Sequence, residues 1–477
     1  MFLKPKTEAQ PPQSEGRERV KEILMLGLLH IIYFAIKKME KILRFIEKQF
    51  IPENLYIKLQ PAYHFLMAFF SALFYGFPSK KMIVIGVTGT KGKTTTCDLI
   101  YQILNFNGYK TGLATTADFA IGDLKWQNKS KQTMLGRFEL QKLLARMAQE
   151  NCVYAVIETS SEGILQYRHR FINYNIAVFT NLSPEHIERH GSFENYRSAK
   201  IKLFEKVAKE KNSIGIYNLD DENAKYFLKA KIKNRFFYAL NAENNRVNAQ
   251  NLNVISSIKT TINGANFSFN QEKFKMPLIG EFNVYNAAAA ICVALSQNIP
   301  INKIKEALAI AKPPAGRMEI IDEGQNFMII IDYAHEPASL EAIYKTAQKF
   351  KTKNSKLICL LGAQGGGRDK WKRPEMGKIA GQYCDKIILT NEDPYDENPS
   401  RILSEIKNGI KSYKFEIIKI IDRQKAIKKA LASAKKGDVV ILTGKGGESW
   451  MCVENNQKIP WDERKTVEEL INHIKTI

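Results

Sequence analysis

The feature that most constrains this chain is the run Val84-Ile85-Gly86-Val87-Thr88-Gly89-Thr90-Lys91-Gly92-Lys93-Thr94-Thr95-Thr96. A short apolar segment, Met82 to Val87, leads into a glycine-bearing turn that ends in Gly-Lys-Thr, and a helix-compatible segment follows. That order predicts a buried strand, a phosphate-cradling loop and a helix N-terminus. The amides of Gly89, Thr90, Lys91 and Gly92 and the helix dipole would then face an anion, and Lys93 would reach the terminal phosphates. The Thr94 hydroxyl, with Thr95 beside it, is placed to ligate Mg²⁺. The usual spacing puts a glycine five residues before Gly92; Val87 stands there, and the glycines are Gly86 and Gly89. The expected ligands are ATP and Mg²⁺.

The rest of the chain reads as α/β from Lys81 onwards. Apolar, β-rich runs (Met82–Val87, Val153–Ile157, Ile176–Phe179, Ser213–Tyr217) alternate with helical segments such as Glu139–Gln149 and Tyr196–Glu210, which predicts a mostly parallel sheet. Asn245 to Phe274 reads as a small antiparallel hairpin, and Phe282 to Ser296 as an alanine-rich buried helix. Pro313-Pro314-Ala315-Gly316 breaks the pattern, after which strands recur at Phe327–Asp332, Lys356–Leu361, Lys386–Thr390, Phe415–Ile421 and Asp438–Leu442. The expected organisation is a helical, apolar region at 1–80, an ATP-binding domain at 81–312 and a Rossmann-like α/β domain at 313–477.

Charge and cysteine usage narrow the class. The net charge of +22 comes from 71 basic and 49 acidic residues, and the basic ones are spread along the chain with no run of five. That argues against nucleic acid and for anionic small substrates or an anionic membrane face. Cys97, Cys152, Cys292, Cys359, Cys384 and Cys452 are widely spaced without a CxxC and are expected to be buried free thiols. At the N-terminus, Ile23 to Ile36 and Ala62 to Phe77 are apolar but shorter than a bilayer span requires. Residues 23–77 therefore fit either a helical region packed on the rest of the chain or an element lying on a membrane surface.

Two more strand ends carry polar groups. Val156-Ile157-Glu158-Thr159-Ser160-Ser161 places a carboxylate where a nucleotide-bound Mg²⁺ needs oxygen ligands. Thr180-Asn181-Leu182-Ser183-Pro184-Glu185-His186-Ile187-Glu188-Arg189-His190-Gly191 brings two of the seven histidines within five residues. Together with Asn195-Tyr196-Arg197-Ser198-Ala199-Lys200, these motifs resemble the Mur ligase family. Further along, Gly280-Glu281-Phe282-Asn283-Val284-Tyr285-Asn286-Ala287-Ala288, Gly316-Arg317-Met318-Glu319, Asp332-Tyr333-Ala334-His335-Glu336-Pro337, Gly365-Gly366-Gly367-Arg368-Asp369-Lys370 and Gly444-Lys445-Gly446-Gly447-Glu448 resemble it in the same order. The similarity spans about residues 78 to 477 and is nearest to the branch that adds the third amino acid to the peptidoglycan precursor.

The resemblance implies an ATP- and Mg²⁺-dependent ligase that joins a free amino acid to a muramoyl-peptide carboxylate through an acyl phosphate. It implies a cytoplasmic monomer, with the apolar N-terminus leaving open a peripheral place at the inner face of the membrane. It assigns Lys93, Lys200, His186 and Glu158 to catalysis, and Thr94, Glu158, His186 and a carbamylated Lys200 to metal. The alternative for Lys200 is a solvated lysine on a helix face. Nucleotide contacts are expected from Asn283, Asn286, Arg317 and Asp332, and substrate contacts from Ser160, Ser161, Arg368, Asp393, Tyr395, Gly444 and Glu448. Two departures matter. Residues 1–80 stand where the family carries a uridine-nucleotide-binding domain. Glu392-Asp393-Pro394-Tyr395 stands where diaminopimelate-adding enzymes have Asp-Asn-Pro-Arg, whose arginine grips a distal carboxylate bidentately. Extra acidic charge there favours L-lysine or a similar diamine. Other ligases of this scaffold, such as folylpolyglutamate or cyanophycin synthetases, and a nucleotide-binding scaffold without turnover are the rival readings.

Overall fold

The structure is a computed structural model and describes residues 53–185, 187–240, 251–411 and 416–476. The apolar run Ile23–Ile36 and His186 lie outside the described residues.

Eleven strands form the first sheet: Ile83–Thr88 (β1), Thr111–Ala114 (β2), Asp118–Ile121 (β3), Leu124–Gln127 (β4), Tyr154–Glu158 (β5), Tyr174–Phe179 (β6), Ile214–Asn218 (β7), Asn234–Ala239 (β8), Leu252–Thr261 (β9), Gly264–Phe269 (β10) and Glu272–Met276 (β11). Their order is β11-β10-β9-β8-β7-β6-β1-β5-β2-β3-β4. The centre, from β2 to β9, is parallel, and both edges turn antiparallel. The hairpin read at Asn245–Phe274 is a three-stranded antiparallel meander, β9 to β11; residues 245–250 lie outside the described residues. The central strands are apolar on both faces because helices cover both. Ile85, Val87 and Val156 face one core with the helix Lys93–Phe106 and the alanine-rich helix Glu281–Ser296, while Val84, Ala155 and Ile157 face a second core on the other side.

The second sheet comprises Glu319–Ile321 (β12), Met328–Asp332 (β13), Leu357–Leu361 (β14), Lys386–Leu389 (β15), Glu416–Lys419 (β16) and Val439–Thr443 (β17), in the order β12-β13-β17-β14-β15-β16. All its pairs are parallel except β12 with β13. Along β14 the alternation is plain: Leu357, Cys359 and Leu361 enter one core, Ile358 and Leu360 the other.

One cysteine expectation needs correcting. Cys359 on β14 and Cys384, just before the neighbouring β15, are joined as a disulfide. They are 25 residues apart in sequence, and it is the crossover helix Lys372–Tyr383 that returns the chain beside β14. Cys97, Cys152, Cys292 and Cys452 are buried free thiols, as expected. At the N-terminal side the described chain forms the helix Glu53–Phe74 and a 3₁₀ turn at Pro78–Lys81. No helix among the described residues is long and apolar enough to cross a membrane.

Candidate active site

In parallel α/β sheets the loops beyond the carboxyl ends of the strands carry the ligand contacts. Here the carboxyl ends of both sheets open into one cavity of about 720 Å³. The P-loop, Glu158, Asn181, Lys200, Asn283 and Asn286 line it from the first sheet's side, and Arg317, Asp332, Arg368, Asp393, Tyr395 and Glu448 from the second's. Of the residues assigned to the site from sequence, Gly89 and Gly444 lie behind the lining.

At the first sheet the loop after β1 is drawn tight. Gly92 has φ +79°, and a Cβ there would stand 2.2 Å from Asn286 Oδ1, so the close approach of the loop to the helix Glu281–Ser296 requires glycine. Lys93 opens the P-loop helix, and its ammonium donates to the Thr90 carbonyl at 2.8 Å. Burial pushes its proton affinity below the ordinary lysine range, with Glu158 and Glu185 opposing. Thr94 Oγ1 donates to Glu158 Oε2 at 2.9 Å. The same oxygen accepts from Thr116 N at 2.8 Å and Thr116 Oγ1 at 2.9 Å. Sequence reasoning missed Thr116, although its position just past β2 follows the same strand-end rule that singled out Glu158.

Lys200 lies on the helix Phe193–Val207 and is 1% exposed, which rules out the solvated-face alternative. Its Nζ donates to the Gly89 carbonyl at 2.7 Å and sits 4.5 Å from the Tyr196 ring centroid. Burial, and next the Lys93 charge, push its proton affinity well below the ordinary value. Ser160 caps the following helix by accepting from Gly163 N, at 3.1 Å. Ser161 Oγ meets His190 Nε2 at 3.1 Å. Lys91 pairs with Glu185 at 3.0 Å, and Glu185, His335 and Glu336 bring ligand atoms within 4.8 Å of one another. Lys372 already holds Glu336 at 2.6 Å.

The nucleotide candidates from both sides meet. Asn286 Nδ2 donates to Asn283 Oδ1 at 2.9 Å, and its Oδ1 accepts from Thr96 at 3.3 Å. Asp332 accepts from Met318 N and Ala334 N at 2.7 Å each. Burial raises its proton affinity against the pull of Arg317. Arg317 stacks 4.3 Å from the Tyr333 ring centroid. Gly316, at φ +64°, brings its backbone so close to Gly447 that a Cβ would lie 2.0 Å from Gly447 N.

At the second sheet, charge is paired in advance. Lys445 is fully buried and donates to Asp393 Oδ1 at 2.9 Å, Glu448 Oε2 at 2.6 Å and the Trp450 carbonyl at 2.6 Å. Lys131, from the loop after β4, reaches Asp393 Oδ2 and Glu448 Oε2 at 2.9 Å each. Burial works against the Lys131 charge, but Glu448 and Asp393 raise its proton affinity above the ordinary value. Burial likewise opposes ionisation of Asp393, and Lys445 with Lys131 overcomes it. Arg368 and Tyr395 line the cavity together, and the Tyr395 and Tyr333 hydroxyls help hold the Arg368 charge against burial. Glu392 corrects an expectation: it does not line the cavity, unlike its neighbour Asp393. It is fully buried beside Gly444, both its oxygens lack a hydrogen-bond partner, and burial followed by the Asp393 charge raises its proton affinity to about 7. Lys131 was missed because its segment, Asn128 to Gln132, reads as an ordinary polar loop.

Comparison with known proteins agrees with this layout. Residues 87–294 match the Mur ligase middle domain and residues 316–446 the Mur ligase glutamate ligase domain. A UDP-N-acetylmuramoyl-L-alanyl-D-glutamate--2,6-diaminopimelate ligase of Syntrophomonas wolfei is 37% identical over 85% of this chain and 81% of its own length. A UDP-N-acetylmuramyl-tripeptide synthetase of a Roseiflexus species is also 37% identical, over 82% of this chain and 79% of its own. A solved structure of a UDP-N-acetylmuramoyl-L-alanyl-D-glutamate--2,6-diaminopimelate ligase superposes with a TM-score of 0.57 at 29% identity, covering 83% of this chain and 79% of that one. Mycobacterium tuberculosis folylpolyglutamate synthase, solved with ADP and AMPPCP, shares the fold, with a TM-score of 0.62 at 15% identity over 80% of this chain and 92% of that one. With both domain types matched in order around one P-loop cavity, the chain belongs to the Mur ligase family of ATP-dependent amide-forming ligases.

Proposed function

We propose that this ligase adds a diamino acid, L-lysine or a close analogue such as ornithine, to the carboxylate of a UDP-linked muramoyl dipeptide. The carrying observation is the single cavity with a P-loop at one end and the Asp393–Glu448 carboxylate pair at the other. The names of the relatives supply the acceptor class. The paired carboxylates hold a primary ammonium, that of Lys131, at 2.9 Å from each. Tyr395 lacks the guanidinium fork that a distal carboxylate needs.

The P-loop amides and Lys93 would hold the ATP phosphates. The hard oxygens of Thr94 and Glu158, 2.9 Å apart beside that loop, suit Mg²⁺, which when bound neutralises developing phosphate charge. The acceptor carboxylate oxygen attacks the γ-phosphorus, and ADP leaves. The amino acid's amine then attacks the acyl carbon and loses a proton, and inorganic phosphate departs with the carboxylate oxygen. Holding the three reactants in one cavity supplies most of the rate. Lys200 fits carbamylation: a buried lysine with lowered proton affinity presents the neutral amine that adds CO₂ and becomes an oxygen donor. Arg368 would take the α-carboxylate of the amino acid.

The test is phosphate release from Mg²⁺-ATP with UDP-N-acetylmuramoyl-L-Ala-D-Glu against L-lysine, ornithine, meso-diaminopimelate and glutamate. Release that needs both the acceptor and a diamine is the expected result. Release with diaminopimelate alone overturns the amino-acid reading, and release with glutamate on another acceptor overturns the branch.

One observation favours a membrane-surface role for the N-terminal side as well. On the helix Glu53–Phe74, Leu59, Leu66, Phe70 and Leu73 share a face at helical spacing and are 50–51% exposed, with exposed lysines at Lys58, Lys80 and Lys81. An exposed apolar stripe with exposed lysines in the same N-terminal segment suits an anionic bilayer surface. Sedimentation with anionic but not zwitterionic vesicles, weakened by Leu66→Ser with Phe70→Ser, is expected; equal partition in all three cases overturns it.

A further inference from the structure

Two lysines share the Asp393–Glu448 pair, and they are held differently. Lys445 is fully buried, comes from the same loop as Glu448 and is locked by the Trp450 carbonyl. Lys131 arrives from the other sheet and lines the cavity. Its loop is fixed independently of its ammonium. Asn128 Nδ2 ties to the Thr115 and Gln132 carbonyls at 2.7 and 2.9 Å. Gln127 Nε2 donates to the Gly447 carbonyl at 2.7 Å, and Trp450 Nε1 donates to the Lys129 carbonyl at 2.9 Å. The Lys131 side chain is 14% exposed and has four rotatable bonds, so its ammonium can swing into the cavity while the loop stays in place.

We infer that the Lys131 ammonium is an internal stand-in for the substrate's side-chain ammonium, and that the diamino acid binds by displacing it from Asp393 and Glu448. This rests on the proposed diamino-acid reading of the site. The physical reason is charge conservation. Lys445 balances only one of the two carboxylate charges, and the other cannot stay uncompensated in a buried setting without a large desolvation penalty, so a second cation is needed there whether or not substrate is bound. A third ammonium added beside Lys131 and Lys445 would be repelled. One-for-one exchange keeps the pairing, and it makes Lys131 a specificity-determining residue. An amino acid without a terminal ammonium has nothing to exchange, and an ammonium-bearing one competes against a tethered rival. The lysine also spans the two sheets, so exchange releases one of the contacts between them.

The experiment is calorimetric titration of the full chain and of Lys131→Met, each with a non-hydrolysable ATP analogue present, using L-lysine and its deamino analogue L-norleucine, which lacks the terminal ammonium. Removing the internal competitor is expected to tighten L-lysine binding by about tenfold and to leave norleucine within about twofold. The inference is overturned by L-lysine binding that is unchanged or weaker in a folded Lys131→Met protein, by an equal gain for norleucine, or by no L-lysine binding in either protein. A weaker result would mean that Lys131 grips a substrate carboxylate instead. If methionine lowers the melting temperature enough to obscure the titration, Lys131→Gln carries the same comparison. Tighter lysine binding without amide formation leaves this inference standing and breaks the proposed function.

Discussion

The two ends of the cavity handle charge in opposite ways. At the carboxyl ends of β1 and β5, the buried amino groups of Lys93 and Lys200 donate to main-chain carbonyls, of Thr90 and Gly89. Beyond the ends of β15 and β17, the carboxylates Asp393 and Glu448 are already paired, with Lys445 from the same sheet and Lys131 from the other. A buried ammonium satisfied only by a carbonyl keeps most of its field for an arriving anion, whereas a carboxylate already paired must exchange partners. The first end is thus arranged to receive phosphate by addition, and the second to receive a zwitterion by substitution. The difference follows from ligand chemistry: a nucleotide brings several negative charges, while an amino acid brings charges of both signs.

The largest effect should come from removing the P-loop cation. Lys93→Ala is expected to lower ATP turnover by about 10³-fold with the circular-dichroism spectrum intact, since it removes the P-loop ammonium that would meet the phosphates. Near-normal phosphate release from a folded Lys93→Ala protein would break the phosphate half of the comparison. Next comes Lys200. Lys200→Ala should lower turnover by about 10²-fold, and short carboxylates should restore part of it if a carbamate supplies the missing oxygen. A loss that acetate or formate does not relieve at any concentration would leave Lys200 a packed structural lysine.

The smallest effect sharpens the other end. Glu392 has a folded-state proton affinity of about 7 against an ordinary value of 4.5. A carboxyl raised in this way keeps its proton in the folded protein where the unfolded chain has lost it. Stability therefore falls as pH rises between those two values and is level above the upper one, by about 3 kcal/mol in total for a shift of this size. Glu392→Gln should flatten this dependence in denaturant titrations at pH 5, 6, 7 and 8. An identical slope in both proteins would show that Asp393 and Lys445 do not sense the Glu392 charge.

Much of the frame was legible in one dimension. Strands such as β13, Met-Ile-Ile-Ile-Asp, and β17, Val-Val-Ile-Leu-Thr, are continuous apolar runs because helices cover both their faces, and a run of that kind has few other fates in a parallel sheet. Asn245–Phe274 was read with one turn too few because the second turn, Asn270-Gln271, carries no glycine to mark it; β9 to β11 make a meander. Glu158 and Thr94 were identifiable because Glu158 ends β5 and Thr94 opens the helix that follows β1, so chain direction places them at the same sheet edge. Thr116 obeys the same rule and was passed over.

What the sequence by itself determined is the P-loop, the alternation of buried strands with helices, and the polar groups at the strand ends. Each rests on local physics: phosphate-facing amides after a strand, period-two burial, and the fixed direction of a parallel sheet. Only the tertiary structure decided how charges are matched. Lys131 meets Asp393 across 262 residues, Lys445 is buried against Asp393 and Glu448, Lys200 turns inward, and Cys359 finds Cys384. Spacing carries no sign of such pairings, because the cost of burying a charge is set by what the fold brings within about 3 Å of it and not by its neighbours in the chain.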